Sequence, residues 1–193
     1  MRTERQIEIT EVALDLINEK GIQGLTIKNL AKKIGITEPA IYRHYDSKTD
    51  ILIAILDSFS NNTKNIFKNE LNDNCTAIEK IEHLFTKHFA AFSANPSLVA
   101  VIFSEEIFRN EPVLVDKITE LIGNNDKMLC TILAKGQSDG EVRTDISAQH
   151  LSTIVMGALR LFVKKSRFQE YSDSLPSEGK KLVESIKLII IKN

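Results

Sequence analysis

Apolar residues recur at helical spacing along nearly the whole chain. Ile9, Val12, Ala13, Leu16 and Ile17 fall at i, i+3, i+4, i+7 and i+8, which predicts an amphipathic helix from Glu4 to Lys20. Gly21 suits the position just past its end, and Glu4, Glu8, Glu11, Asp15 and Glu19 form its polar face. Ile27, Leu30, Ala31 and Ile34 repeat the pattern over a shorter stretch. Thr26 stands where its side-chain oxygen can cap that second helix, and Gly35 where a chain reversal needs φ > 0. Thr37 can cap a third helix. Glu38 and Pro39 would occupy its first turn, where a missing N–H costs nothing and negative charge suits the helix dipole. Ser47 can cap a fourth, which continues through Ile51, Leu52, Ile55, Leu56 and Phe59.

The same periodicity carries on. A fifth helix is predicted from about Ala77 to Ser93, with Ile78, Ile81, Phe85, Phe89 and Phe92 on one stripe and Asn95-Pro96 ending it. From Ser97 to about Arg109 the chain is apolar on most sides, as a buried helix would be. Pro112 opens the next helix, which Gly136 and Gly140 are expected to end. Ser147 can cap a helix reaching about Phe168, striped by Leu151, Ile154, Val155, Ala158, Leu159 and Phe162. Pro176 opens the last, with Leu182, Val183, Ile186, Ile189 and Ile190. No stretch alternates as a strand would, and no repeat recurs. The expected fold is all-α with about nine helices.

Composition changes this picture in two places. All nine phenylalanines lie at Phe59 or beyond, so the first part has a core of smaller aliphatics and the larger core or cavity lies later. The formal charge is −1 overall, yet Thr26 to Lys48 carries Lys28, Lys32, Lys33, Arg43 and Lys48 against Glu38 and Asp46, a local +3. A local basic face can supply the electrostatic footprint of nucleic-acid binding. Helix, tight turn with glycine, helix is the helix-turn-helix pattern, whose second helix enters the major groove. The two cysteines show no metal-ligand spacing, the polar start MRTERQIEIT no signal peptide, and the apolar run Leu188–Ile191 is too short to span a bilayer, so the expected location is cytoplasmic.

This stretch resembles the DNA-binding head of the tetracycline-repressor (TetR) family. The matching residues are Gly35, Ile36, Thr37, Ile41, Tyr42, Arg43, His44, Tyr45 and Lys48, with Ala13 to Gly21 and Leu25-Thr26 upstream. Tyr45 stands where the family usually has Phe, and Glu38 where a basic or small polar residue is frequent. The resemblance implies a DNA-binding domain over 1–48 and a helical ligand-binding and dimerisation domain over 49–193. It implies a ligand-responsive regulator, a repressor acting as a homodimer on a palindromic operator. Thr26, Thr37, Tyr42 and Lys48 are then expected on phosphates, and Lys28 is expected among the DNA-binding residues. Glu38, Pro39, Ala40, Arg43 and His44 are expected near bases, where Arg43 can take guanine O6 and N7.

In that family the body encloses a small-molecule cavity, and the last two helices pair across the dimer. By residue type the Phe stripe reads first as core, and compatibly with that Phe85, His88, Phe89, Phe92, Phe103, Ile107 and Met128 are the candidate lining for a lipophilic effector. Leu159, Phe162, Leu182, Ile186 and Ile190 are the candidate dimer face, with Gly157 permitting close approach. His83 and His88 miss the i, i+4 spacing of a shared metal, Glu105 and Glu106 fit a helix edge as well as a cavity, and no cofactor is implied. With no GxSxG, P-loop or GxGxxG the chain is not expected to be an enzyme. The alternative is a helical adaptor holding a protein partner in its apolar groove.

Overall fold

The computed structural model describes residues 2–71, 74–104, 111–168 and 175–192, with side chains left aside at 167 and 168. Among these residues nine α-helices form: α1 (Glu4–Lys20), α2 (Ile27–Ile34), α3 (Glu38–Tyr42), α4 (Lys48–Leu71), α5 (Ala77–Ala94), α6 (Pro96–Ile102), α7 (Pro112–Asp139), α8 (Ala148–Phe168) and α9 (Leu175–Ile190). A 3-10 turn at Ile22–Gly24 joins α1 to α2. The only extended pairing among the described residues is a single antiparallel bridge between Val142 and Ile191.

The helix starts follow local chemistry. Thr3 and Gln6 form a reciprocal capping box on α1, and Thr76 and Glu79 form another on α5. Ser47 Oγ accepts the Asp50 amide at 3.1 Å and donates to the Asp50 carboxylate at 2.9 Å. Ser147 Oγ accepts the His150 amide at 3.2 Å. The expected end of α7 shifts: Gly136 lies inside the helix, and Gly140, at φ 80°, follows it. Gly136 is required by packing, because a Cβ there would sit 2.5 Å from the Ala77 Cβ and 2.6 Å from a Val142 methyl. The short helix expected from Ser97 to Arg109 runs from Pro96 to Ile102 and has ended by Phe103 and Ser104; the expected residues from Glu105 on, with Glu106 and Ile107, lie outside the described residues.

The chain divides into two compact units. The first comprises residues up to Ser60 with Pro96–Thr119; the second comprises Asn61–Asn95 with Glu120 onward. The first thus takes in more than the head residues 1–48. In it α1 packs on α2 and α6, and the core is formed by Ile9, Ala13, Leu16, Leu30, Ile41, Ile55 and Val101, all buried. Burying the isoleucine, leucine and valine side chains among these contributes about 1.5–3 kcal/mol each relative to leaving them exposed. In the second unit α5 packs on α9 and α8 around Phe85, Phe89 and Phe92. The Phe89 ring meets Phe85 at 5.8 Å and Phe162 at 5.6 Å between centroids, both edge-on, the arrangement that aromatic quadrupoles favour.

Candidate nucleic-acid interface

α2, its turn and α3 are set by three local devices. Thr26 Oγ1 accepts the Asn29 amide at 3.1 Å, satisfying a donor the helix cannot. Gly35, in the left-handed region at φ 82°, lets the chain reverse while its amide and that of Ile36 both bond the Ala31 carbonyl at 3.0 Å. Thr37 is extended, as an N-cap should be, and Glu38 and Pro39 begin α3. Its hydroxyl, however, makes no capping bond. The Thr37 carbonyl instead receives the Ala40 and Ile41 amides, so the side chain is exposed and available to another acceptor or donor.

Every residue assigned to DNA contact lies on the surface of the first unit. Thr26, Lys28, Thr37, Glu38, Pro39, Tyr42, Arg43 and Lys48 are exposed, and Ala40 and His44 are half-buried. Tyr42 is conspicuous, since a large ring 49% exposed gains little from its own core. Its neighbour in the motif behaves oppositely. Tyr45 is buried, and its hydroxyl donates to the Gln6 carbonyl at 3.2 Å. Burial pushes the Tyr45 phenol above its ordinary range, opposed by the Arg2 guanidinium. The Gln6 side chain in turn donates to the His44 carbonyl at 3.2 Å, and Arg2 donates to the Ala54 carbonyl at 3.1 Å. Arg2 and α1 therefore hold the end of the recognition helix and the first turns of α4. These bonds join residues 38 to 52 positions apart, so no local pattern could have found them.

The basic residues do not all remain free. Lys33 forms an ion pair with Glu19 of α1, and that bond holds the Glu19 carboxyl below its usual range. The charge open to a polyanion is thus carried by Lys28, Lys32, Arg43 and Lys48, all exposed. Lys48 opens α4, where a cation gains nothing from the helix dipole, while a phosphate at the same end would.

The second unit receives most of the residues proposed for an effector. Phe85, His88, Phe89 and Phe92 are buried and Met128 is half-buried, whereas Phe103 belongs to the first unit. His88 Nδ1 donates to the Leu84 carbonyl at 2.7 Å, and burial pushes its pKa down against that bond, so the ring is neutral with Nε2 as acceptor. Of the residues proposed for the dimer face, Leu159, Ile186 and Ile190 are already buried within the chain, and Phe162 and Leu182 are half-buried. The apolar surface left on the same helices is different: Ile154, Leu161, Leu188 and Ile189, with Leu161 60% and Leu188 77% exposed. Ile154, Gly157 and Leu161 fall at i, i+3 and i+7 on α8, with open space around Gly157. Sequence reasoning also missed Glu70, a carboxylate on α4 buried against Lys87 and His83. It lines a cleft of about 650 Å³ with Thr86, Lys180 and Val183.

A three-helix head with an exposed recognition helix, a glycine turn and capped helix starts defines a helix-turn-helix DNA-binding regulator. Residues 9–55 match the family described as bacterial regulatory proteins, tetR family, and residues 59–191 match the YsiA-like protein, C-terminal region. The chain belongs to the TetR family of transcriptional regulators. It is 23% identical over 155 residues to a fatty acid metabolism regulator protein of Bacillus subtilis, covering 80% of this chain and 79% of that one. In fold it is similar to the ketosteroid transcriptional regulator KstR2 of Mycobacterium tuberculosis, with a TM-score of 0.83, 19% identity and coverage of 100% and 98%. The regulator FadR from Bacillus subtilis, in complex with stearoyl-CoA, superposes with a TM-score of 0.79 at 21% identity, covering 93% and 96%. Among the described residues no helix is long and apolar enough to cross a membrane.

Proposed function

We propose that this cytoplasmic protein is a repressor that binds a palindromic operator as a homodimer and leaves it when a small lipophilic effector binds. DNA contact rests with residues 1–48, and effector binding and dimerisation rest with 49–193. The observation that carries the DNA half is the surface of α3: Thr37, Glu38, Tyr42 and Arg43 are exposed together, beside a Lys48 that opens α4. Thr26, Thr37, Tyr42 and Lys48 take phosphates, with Lys28 among the DNA-binding residues; Glu38, Pro39, Ala40, Arg43 and His44 face bases. The effector half is supported by the aromatic second unit and by relatives whose names concern fatty acid metabolism, ketosteroids and a stearoyl-CoA complex. The effector is then an acyl- or sterol-like molecule.

Binding lowers operator affinity only if the effector prefers a conformation whose two heads no longer match half-sites about one helical turn, roughly 34 Å, apart. A coupling of about 1–3 kcal/mol gives a change of roughly 5–150-fold, and operator DNA must weaken effector binding equally. The test is operator selection from random duplexes, then titration of the selected site at two salt concentrations with and without long-chain acyl-CoA. A salt-dependent, sequence-selective complex that acyl-CoA weakens is the expected result. Absence of any salt-dependent binding would favour the adaptor reading instead.

A further inference from the structure

One face of α4 runs through Thr63, Phe67 and Glu70, spaced i, i+4 and i+7, and all three are buried in the second unit. Two of them have partners on α5. Glu70 takes Lys87, and His83 Nδ1 at 3.1 Å. Phe67 meets the His88 ring edge-on at 6.2 Å, and His88 in turn meets Phe92 at 6.2 Å. Thr63 differs. Its hydroxyl oxygen is buried, the residue is 1% exposed, and among the described residues it has no hydrogen-bond partner. A helical threonine can give its proton to the carbonyl four residues back, and this one does not. Buried polar groups are nearly always paired, so an orphan one turn from Phe67, whose ring meets the buried His88, calls for an explanation.

His88 adds the complementary group. With Nδ1 on the Leu84 carbonyl, Nε2 is an acceptor, and the ring is flanked by Phe67 and Phe92. Thr63, Phe67, His88 and Phe92 supply no cation, and the nearest charge along that face of α4 is the Glu70 carboxylate, held by its own partners. An anion placed there would be buried with no counter-charge from these four side chains, and Lys87 is already engaged by Glu70. A neutral oxygen has no such difficulty. An alcohol can accept from Thr63 and donate to His88, and a carbonyl can accept from Thr63.

We propose that Thr63 and His88 hold the polar end of a neutral lipophilic ligand, an alcohol or carbonyl compound and not a free carboxylate, with Phe67 and Phe92 against its apolar part. The proposal rests on the effector reading above and assigns the chemistry of its site. The probes are decan-1-ol and decanoate, titrated into the full chain carrying ¹⁵N-labelled histidine. Decan-1-ol should shift the His88 Nε2 resonance and bind about tenfold or more tighter than decanoate. Thr63→Val should lower decan-1-ol affinity about tenfold while its melting temperature stays equal or rises, because it removes an unpaired buried hydroxyl. Decanoate binding as well as the alcohol, no alcohol binding, or an unchanged affinity in Thr63→Val would each overturn the proposal. An unmoved His88 signal would do the same and leave Thr63 a buried-water site only. Operator affinity measured in parallel separates the two readings. Alcohol that binds at Thr63 without affecting operator affinity removes the effector reading and keeps the site. Release by acyl-CoA with no alcohol binding does the reverse.

Discussion

The ring of Phe89 occupies the space that a side chain at position 179 would need: a Cβ built on Gly179 falls 2.4 Å from the ring's Cδ2 and 2.6 Å from its Cε2. Phe89 is 1% exposed and also faces Phe85 and Phe162, so the ring has nowhere to retreat. Gly179→Ala is expected to destabilise by about 1–3 kcal/mol from overpacking, despite the roughly 1 kcal/mol that alanine gains over glycine in a helix. Phe89→Leu should shrink that penalty, since a smaller side chain leaves room, and a double-mutant cycle of melting temperatures measures the coupling. Phe89→Ala alone should cost about 3–5 kcal/mol, as a core residue does. A stability for Gly179→Ala equal to the parent would mean that the two helices slide apart freely.

Lys48 and Arg43 should separate by what they lose on DNA. Lys48→Ala removes two charges from a dimer, so the slope of log affinity against log salt should fall by about 2, on every sequence alike. Arg43→Ala should cost about 1–3 kcal/mol on the selected operator and little on random duplex. Fluorescence anisotropy at several salt concentrations reads both. Equal losses on operator and random DNA would move Arg43 to the phosphate group.

The dimer face can be told from the core by the kind of damage a charge does. Leu188→Asp or Leu161→Glu puts charge on a residue that is exposed within the chain, so a folded, soluble monomer is expected where the parent is a dimer. Ile186→Asp instead buries an unpaired charge at a position 3% exposed and should unfold the second unit. Light scattering with circular dichroism distinguishes these outcomes. A folded dimer carrying Leu188→Asp with Leu161→Glu would put the interface on another surface.

His88 links stability to pH. Its folded pKa lies below the ordinary 6.5 because burial opposes protonation. Above that value both the folded and unfolded chains hold it neutral, and it adds no slope. Below it the unfolded chain takes up a proton that the folded chain resists, so stability falls with pH until the folded pKa is passed. His88→Gln should flatten this part of the profile between pH 6.5 and acid, read by urea midpoints against the parent. A profile identical to the parent's would show that the other histidines carry the whole effect.

The sequence by itself determined what local interactions determine. Apolar residues at i, i+3 and i+4 placed nearly every helix, because side chains on one helical face meet regardless of the rest of the chain. Thr26, Ser47 and Ser147 were legible as caps because their oxygens reach an amide only three residues on. The motif from Gly35 to Lys48 was legible as a DNA-binding head because a recognition helix must carry its chemistry on its own exposed face. Tertiary structure decided the rest, through contacts between distant segments. Whether Ile186 or Leu188 is open to a partner depends on which side of α9 meets α5. Whether Lys33 is open to DNA depends on Glu19, 14 residues away. Glu70 is a surface residue by type, and it is buried only because Lys87 returns on another helix to pair with it and His83 to bond it. Thr63 gives no sign in the sequence of being unpaired, since a hydroxyl becomes an orphan only when neighbours from elsewhere close over it.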